Sequence, residues 1–405
     1  MQTDLLNTAA PAAPCRSNAD DLDAMLRLVA CGGAAAPRRL LLERCPQPHA
    51  ALGAGAALWR DCGLSAAQVA ALSAPPPAGI AHARAWLAGP GHHLLGWHDP
   101  DYPALLRHSP HPPLALFVAG DPARLWHPAV ALVGSRSATP AGCDNAGAFA
   151  RALVASGLAV TSGLAAGIDT AAHEAALRAG GLTVAVLGTG PDVVYPRANA
   201  ALHARVASVG AIVSEHLPGT QPRREHFPSR NRILAGLSLA TVVIEAAERS
   251  GALITARLAS EAGREVFALP GSIHNPFARG CHRLIREGAG LVESAQEVIA
   301  ALAPMASTLA DDLRRRLAAP NSDDHGDVAP HHPLAEQPIT RPGEIGARDD
   351  PDYQNLWNAL GDDPTGMDQL LARTALTPAM LSSMLLLMEL DGRVATQHGR
   401  YYRKR

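Results

Sequence analysis

Six apolar runs within residues 128–303 limit what this chain can fold into: AVALVG (129–134), LAVTSG (158–163), LTVAVLG (182–188), AIVSE (211–215), LATVVIEA (239–246) and EVFALPG (265–271). Each run is continuous rather than alternating apolar with polar, the pattern of a strand covered on both faces. Helix-like segments of about ten to twenty residues separate them. This alternation predicts an α/β fold, a doubly wound parallel sheet. LALFV (114–118) reads as a strand leading into it, within an otherwise irregular stretch over 91–127.

The flanks differ in texture. Residues 1–90 are rich in Ala and Leu, with helical spacing at Leu22, Met25, Leu26, Leu28 and Val29, and predict a small helical domain ending near Pro75-Pro76-Pro77. The sheet domain is expected over 91–303. Residues 304–350 carry six prolines among acids, histidines and small residues, and read as a disordered linker beyond a helix near 307–318. Over 351–405, helical patterns at 353–360, 366–373 and 377–390 precede an alternating stretch at 392–403, which predicts three helices and a hairpin, a winged helix.

Composition excludes several chemistries. Lys and Arg total 35, yet the one lysine is Lys404. A phosphate-binding Walker loop needs a lysine after its glycines, and Schiff-base chemistry needs one in a pocket, so both are excluded. With a net charge of −2, an anionic partner must be held by a local patch. The six cysteines, Cys15, Cys31, Cys45, Cys62, Cys143 and Cys281, form no CxxC pair, which predicts a reduced, cytoplasmic chain without structural zinc. The N-terminus has no basic region ahead of an apolar core, and no apolar run reaches the roughly 18 residues of a membrane span. Neither a secretory signal nor a membrane partner is expected.

In an open parallel sheet, ligands gather at the carboxyl ends of the strands. After the first run come Gly134, Ser135 and Arg136, with Thr139 as N-cap and Pro140 as the first helical residue. A helix start of this kind offers free N–H groups to an anion, and Arg136 offers a planar fork suited to phosphate; the alternative is a polar loop with a surface arginine. After the second run, Ser162, Gly163 and Gly167 form a glycine-rich turn, and Asp169 or Thr170 can cap the helix that carries His173. His173 reads as a buried hydrogen-bonding residue. Gly188-Thr189-Gly190 begins like a dinucleotide fingerprint, but Val193 stands where its third glycine belongs, so no nicotinamide or flavin cofactor is expected.

The densest charge cluster is RREHFPSRNR (223–232). Arg230 and Arg232 flank Asn231 and are read as opening a helix at Ile233, where cations oppose the helix dipole unless they meet an anion. Phe227 can stack on a base while the arginines pair with phosphates, the combination that single-strand binders use; the alternative is a solvated charge run. Ser250 and Gly251 supply another N–H-rich helix start. Glu245 is a possible base, with no nucleophile or metal ligand that the sequence pairs with it.

At these residues the chain resembles the DNA-processing protein A family (DprA, also called Smf). The matching blocks are VGSR (133–136), SGLAAGIDTAAH (162–173), AVLGTG with YP (185–190, 195–196), FPSRNRI (227–233), EAAERSGALITA (245–256) and VFALPGS (266–272), in family order over 128–292, with WHDPDYPALL (97–106) as the entry. The resemblance implies an extended Rossmann-like fold with a helical N-terminal domain and a C-terminal winged helix. It further implies a homodimer that binds single-stranded DNA and helps load the recombinase RecA during natural transformation, a mediator and not an enzyme. Carried over by motif, Arg136 and the Arg230-Asn231-Arg232 group would hold phosphates, with Ser162, Gly163 and Gly167 lining the same groove. The alternative is a nucleotide phosphoribohydrolase of the related LOG type, whose PGGxGTxxE signature is absent; SGALIT (250–255) stands in its place.

Overall fold

The computed structural model describes residues 18–318 and 351–403, apart from 362–363, 392 and 398–399. Cys15, Lys404 and the linker expected beyond residue 318 lie outside the described residues.

Nine strands form one sheet: β1 (His92–Gly96), β2 (Ala115–Gly120), β3 (Ala129–Gly134), β4 (Ala159–Ser162), β5 (Thr183–Val186), β6 (Ala211–Ser214), β7 (Ala240–Glu245), β8 (Glu265–Ala268) and β9 (Gly290–Leu291). Their spatial order is β1-β2-β6-β5-β4-β3-β7-β8-β9. The sheet from β6 to β9 is parallel, as the continuous apolar runs predict. It is not parallel throughout. β1 and β2 extend it antiparallel beyond β6, with Leu94 opposite Phe117 and Phe117 opposite Ser214. β1 falls in the stretch expected to be irregular: His92 and His93 open a short strand that has no apolar run of its own.

Both faces of the sheet are covered, and β3 shows why its run is continuous. Val130 and Leu132 join Phe149, Leu153, Ala172 and Val298 on one face. Ala131 and Val133 join Val186, Ile233, Leu234 and Ala256 on the other. The helices Pro140–Ala155, Ile168–Arg178 and Ala295–Ala318 build the first layer, and His226–Leu237, Gly251–Glu261 and Arg279–Arg286 the second. Ala295–Ala318 runs without a break through Pro304 and packs Leu302 and Leu309 into the first layer, so the boundary expected at 303/304 falls inside a helix.

Among the described residues six helices precede the sheet, from Asn18–Ala30 to Gly79–Leu87; the last follows the three prolines at which the domain was expected to end. Their core, around Met25, Leu28, Leu41, Trp59 and Leu72, also takes in Leu114 and Ala115 at the start of β2. Arg38, buried within it, donates to the Leu28 and Gly33 carbonyls (2.7 and 2.8 Å) and so satisfies the end of the first helix. The C-terminal unit is the expected winged helix: helices Pro351–Ala359, Met367–Thr374 and Pro378–Leu390, with β10 (Thr365–Gly366), β11 (Val394–Gln397) and β12 (Arg400–Arg403). The five described cysteines are free, and no single helix among the described residues is long and apolar enough to cross a membrane.

Candidate nucleic-acid interface

Strands β3 to β6 step one way across the sheet and β7 to β9 the other, so the order reverses between β3 and β7. Loops leave the carboxyl ends of these two neighbours in opposite directions and open a crevice, the place where open α/β sheets bind ligands. A groove of about 690 Å³ lies there. Its walls include Ser135, Arg136 and Ser137 after β3, and Ala247, Arg249, Ser250 and Gly251 after β7. Phe227, Arg230 and Asn231, on the helix His226–Leu237, line it too.

Glycines let the backbones meet beneath the groove. A Cβ on Gly134 would lie 2.6 Å from Ile168 Cγ1 and 2.8 Å from the Glu245 carbonyl. Gly167 has φ +78° and sits against the Ser135 and Arg136 backbone, so no side chain fits there. Thr139 is the N-cap of Pro140–Ala155 and accepts from the Gly142 N–H at 3.0 Å. Glu245 ties the two halves together. Its carboxylate accepts from the Thr139 N–H at 2.9 Å and from the Thr139 hydroxyl, and it is buried. A carboxylate held this way braces the two loops against each other.

Several residues expected at the ligand instead support the loops. Ser162 is fully buried and donates to the Leu132 carbonyl at 2.7 Å. Ser135 turns its hydroxyl inward to accept the Ser137 N–H at 3.1 Å. Asp169 does not cap its helix, whose N-cap is Gly167; its carboxylate accepts from the Gly163 and Ala165 N–H groups at 3.1 and 3.3 Å. Burial raises its pKa, and the nearby Arg230 opposes the rise.

The arginine cluster divides by face. The helix begins at His226, not at Ile233, so Arg230 and Arg232 are both inside it, two residues and about 200° apart. Arg230 runs beneath the groove and is 4% exposed. Its guanidinium donates to the Gly163 carbonyl at 2.9 Å and to the Val186 carbonyl. Desolvation lowers its pKa to about 10, against the pull of Asp169. Arg232 points to the other side of the helix, pairs with Glu215 and does not line the groove. Asn231 holds Arg230 Nε on its Oδ1 at 3.1 Å. Ser250 caps Gly251–Glu261, accepting from the Ala252 N–H at 3.3 Å.

Three arginines on the groove are exposed: Arg136, Arg224 and Arg249. Among the described residues, no ion pair holds any of them. Arg136 lies over the Phe227 ring at 5.4 Å, and the Tyr195 ring stands 5.3 Å from Phe227. Arg224, Arg249 and Tyr195 were not singled out as site residues from the sequence, although all three lie within motifs read there. His173 is fully buried with Nδ1 2.6 Å from the Thr183 hydroxyl, which itself donates to the Val160 carbonyl. No group of three or more metal-ligating side chains occurs among the described residues.

A crevice with exposed cations and aromatic rings on its rim, set at the switch point of a doubly wound sheet, places the chain in the extended Rossmann class. Residues 93–303 match the family described as DNA recombination-mediator protein A, and residues 340–400 match the DprA winged helix domain. Protein Smf of Synechocystis is 40% identical over 321 residues, covering 76% of this chain and 79% of that protein. Protein Smf of Escherichia coli is 37% identical over 351 residues, covering 86% and 87%. The solved DNA processing protein A of Streptococcus pneumoniae superposes with a TM-score of 0.61 at 37% identity, over 69% of this chain and 97% of that one. The chain belongs to the DNA recombination-mediator protein A family.

Proposed function

We propose that the groove binds single-stranded DNA through its backbone, and that the protein passes the strand to the recombinase RecA during natural transformation, as a cytoplasmic homodimer and without catalysis of its own. One observation carries the reading. Arg136 lies over the Phe227 ring, Arg224 and Arg249 line the same groove, and no ion pair holds any of the three among the described residues. Cations that follow a backbone beside a ring that accepts any base suit a single strand of arbitrary sequence. Family membership supports the recombination role. Against hydrolysis, Asp169 Oδ2 and both Glu245 oxygens accept from N–H and hydroxyl donors of the site's own loops.

A titration of the purified protein with single- and double-stranded DNA across salt tests this. Single strands should bind more tightly and with little sequence preference. Three phosphate contacts at about −0.7 each give a slope of log K on log salt near −2. A flat salt response, or equal affinity for duplex, would overturn the reading.

A further inference from the structure

We propose that a strand held in the groove continues past Phe227 into the adjoining cavity, with Tyr195 as a second stacking platform and Arg197 as a phosphate contact. The inference rests on the single-strand reading above and names the direction of the track.

Tyr195 lines both the groove and a neighbouring cavity of about 590 Å³, so the two spaces share a wall. Its side chain is well exposed, at 44%, while its ring meets Phe227 at a 41° tilt. The rings are too close for a base to enter between them. Phe227 lines the groove alone, whereas Tyr195 lines both spaces, so a base stacked on Tyr195 can lie in the second one. Val193, Val194, Pro196 and Pro222 give the second space apolar walls, as a stacked base requires. Gln221 adds an amide that can donate or accept at any base edge. Arg197 is exposed on the rim, and no ion pair holds it among the described residues. The one carboxylate on this cavity, Asp192, is engaged by His82 Nε2 at 2.9 Å and by the Gly219 N–H at 2.7 Å.

The test compares a short and a long oligothymidylate, of roughly 4 and 12 nucleotides, spanning the known site sizes of single-strand binders. Tyr195→Ala should weaken the long oligonucleotide on the order of 5- to 100-fold and leave the short one nearly unchanged. Tyr195→Phe should bind both as wild type, which separates lost stacking from a disturbed loop. Arg197→Ala should lower the salt slope by about 0.7 for the long oligonucleotide alone. Photocrosslinking with iododeoxyuridine in the long oligonucleotide should label Tyr195. Wild-type affinity of Tyr195→Ala for both lengths, with label at Phe227 but none at Tyr195, overturns the extension and leaves the groove standing. Failure of the groove reading looks different: the wild-type protein then binds neither length.

Discussion

Two arginines that face one groove separate binding from stability. Arg136 is exposed over Phe227 and is tied to no acid, so Arg136→Ala should weaken single-strand binding by about 1.5–3 kcal/mol, one charge-assisted contact, and leave the melt unchanged. Arg230 is buried against two carbonyls and faces Asp169. Arg230→Ala leaves those acceptors and a buried acid without their cation, and should cost about 3 kcal/mol or more of fold stability in a urea melt. Equal melts for the two variants would refute this division. A second residue-scale prediction concerns acid. Burial lowers the His173 pKa to about 3, and burial with the nearby cations lowers that of His216 to about 4. An unfolded imidazole titrates near 6.5, so below that pH the unfolded chain takes up protons that the folded one refuses. Stability should therefore fall as pH drops from about 6.5 toward 4, by at most about 1.4 kcal/mol per pH unit for each histidine. Urea melts at roughly pH 7 and 5 measure this, and His173→Asn should reduce the slope.

The strands of the parallel sheet were legible as elements because burial on both faces writes itself as an uninterrupted apolar run. β1 was not, since an edge strand that begins with His92-His93 has no such run, and β9 is two residues long. The helix at the arginine cluster was placed seven residues late because Pro228 and Ser229 look like a break. Proline in a first turn costs nothing, however, since the N–H it lacks has no acceptor there. That shift in phase concealed which arginine faces the groove. Helix Ala295–Ala318 yields a prediction of its own. Ending the chain at residue 304 removes Leu309, a core residue, whereas ending it after Ala318 removes none from this layer. The shorter fragment should melt measurably lower, and the longer one should keep both its melt and its single-strand affinity. The winged helix gives a reason for the second half. Its third helix, Pro378–Leu390, carries no basic residue and exposes Met380, Leu386 and Leu387. Arg393 and Arg403 stack on Trp357 at 4.5 and 4.7 Å, and Arg373 pairs with Asp144 at 2.6 Å.

For the whole molecule, the location of the groove was legible from topology, while its detailed contacts were not. Sequence motifs marked the loops after β3, β4 and β7. They did not reveal that Ser162, Asp169 and Glu245 spend their polar atoms holding those loops, because a support and a ligand-binding residue have the same side chain and differ only in the direction it points. A net charge of −2 gives no strong overall field to draw in a polyanion, so the proposed binding depends on the local arginines.

The pairing of β3 with β7 brings Gly134 beside Glu245, and each of these strands carries one bank of the groove. In chain terms the two banks lie far apart, joined only when the central sheet has closed over everything between them. A ligand that spans both therefore acts as a reporter of complete folding and as a clamp on it. Single-stranded DNA at about 100 times its Kd should add about 2.7 kcal/mol to the stability of the entire sheet domain, raising its melting temperature in one cooperative step. A separate early transition that the DNA leaves unmoved, with the groove already lost, would show that the banks part before the sheet does.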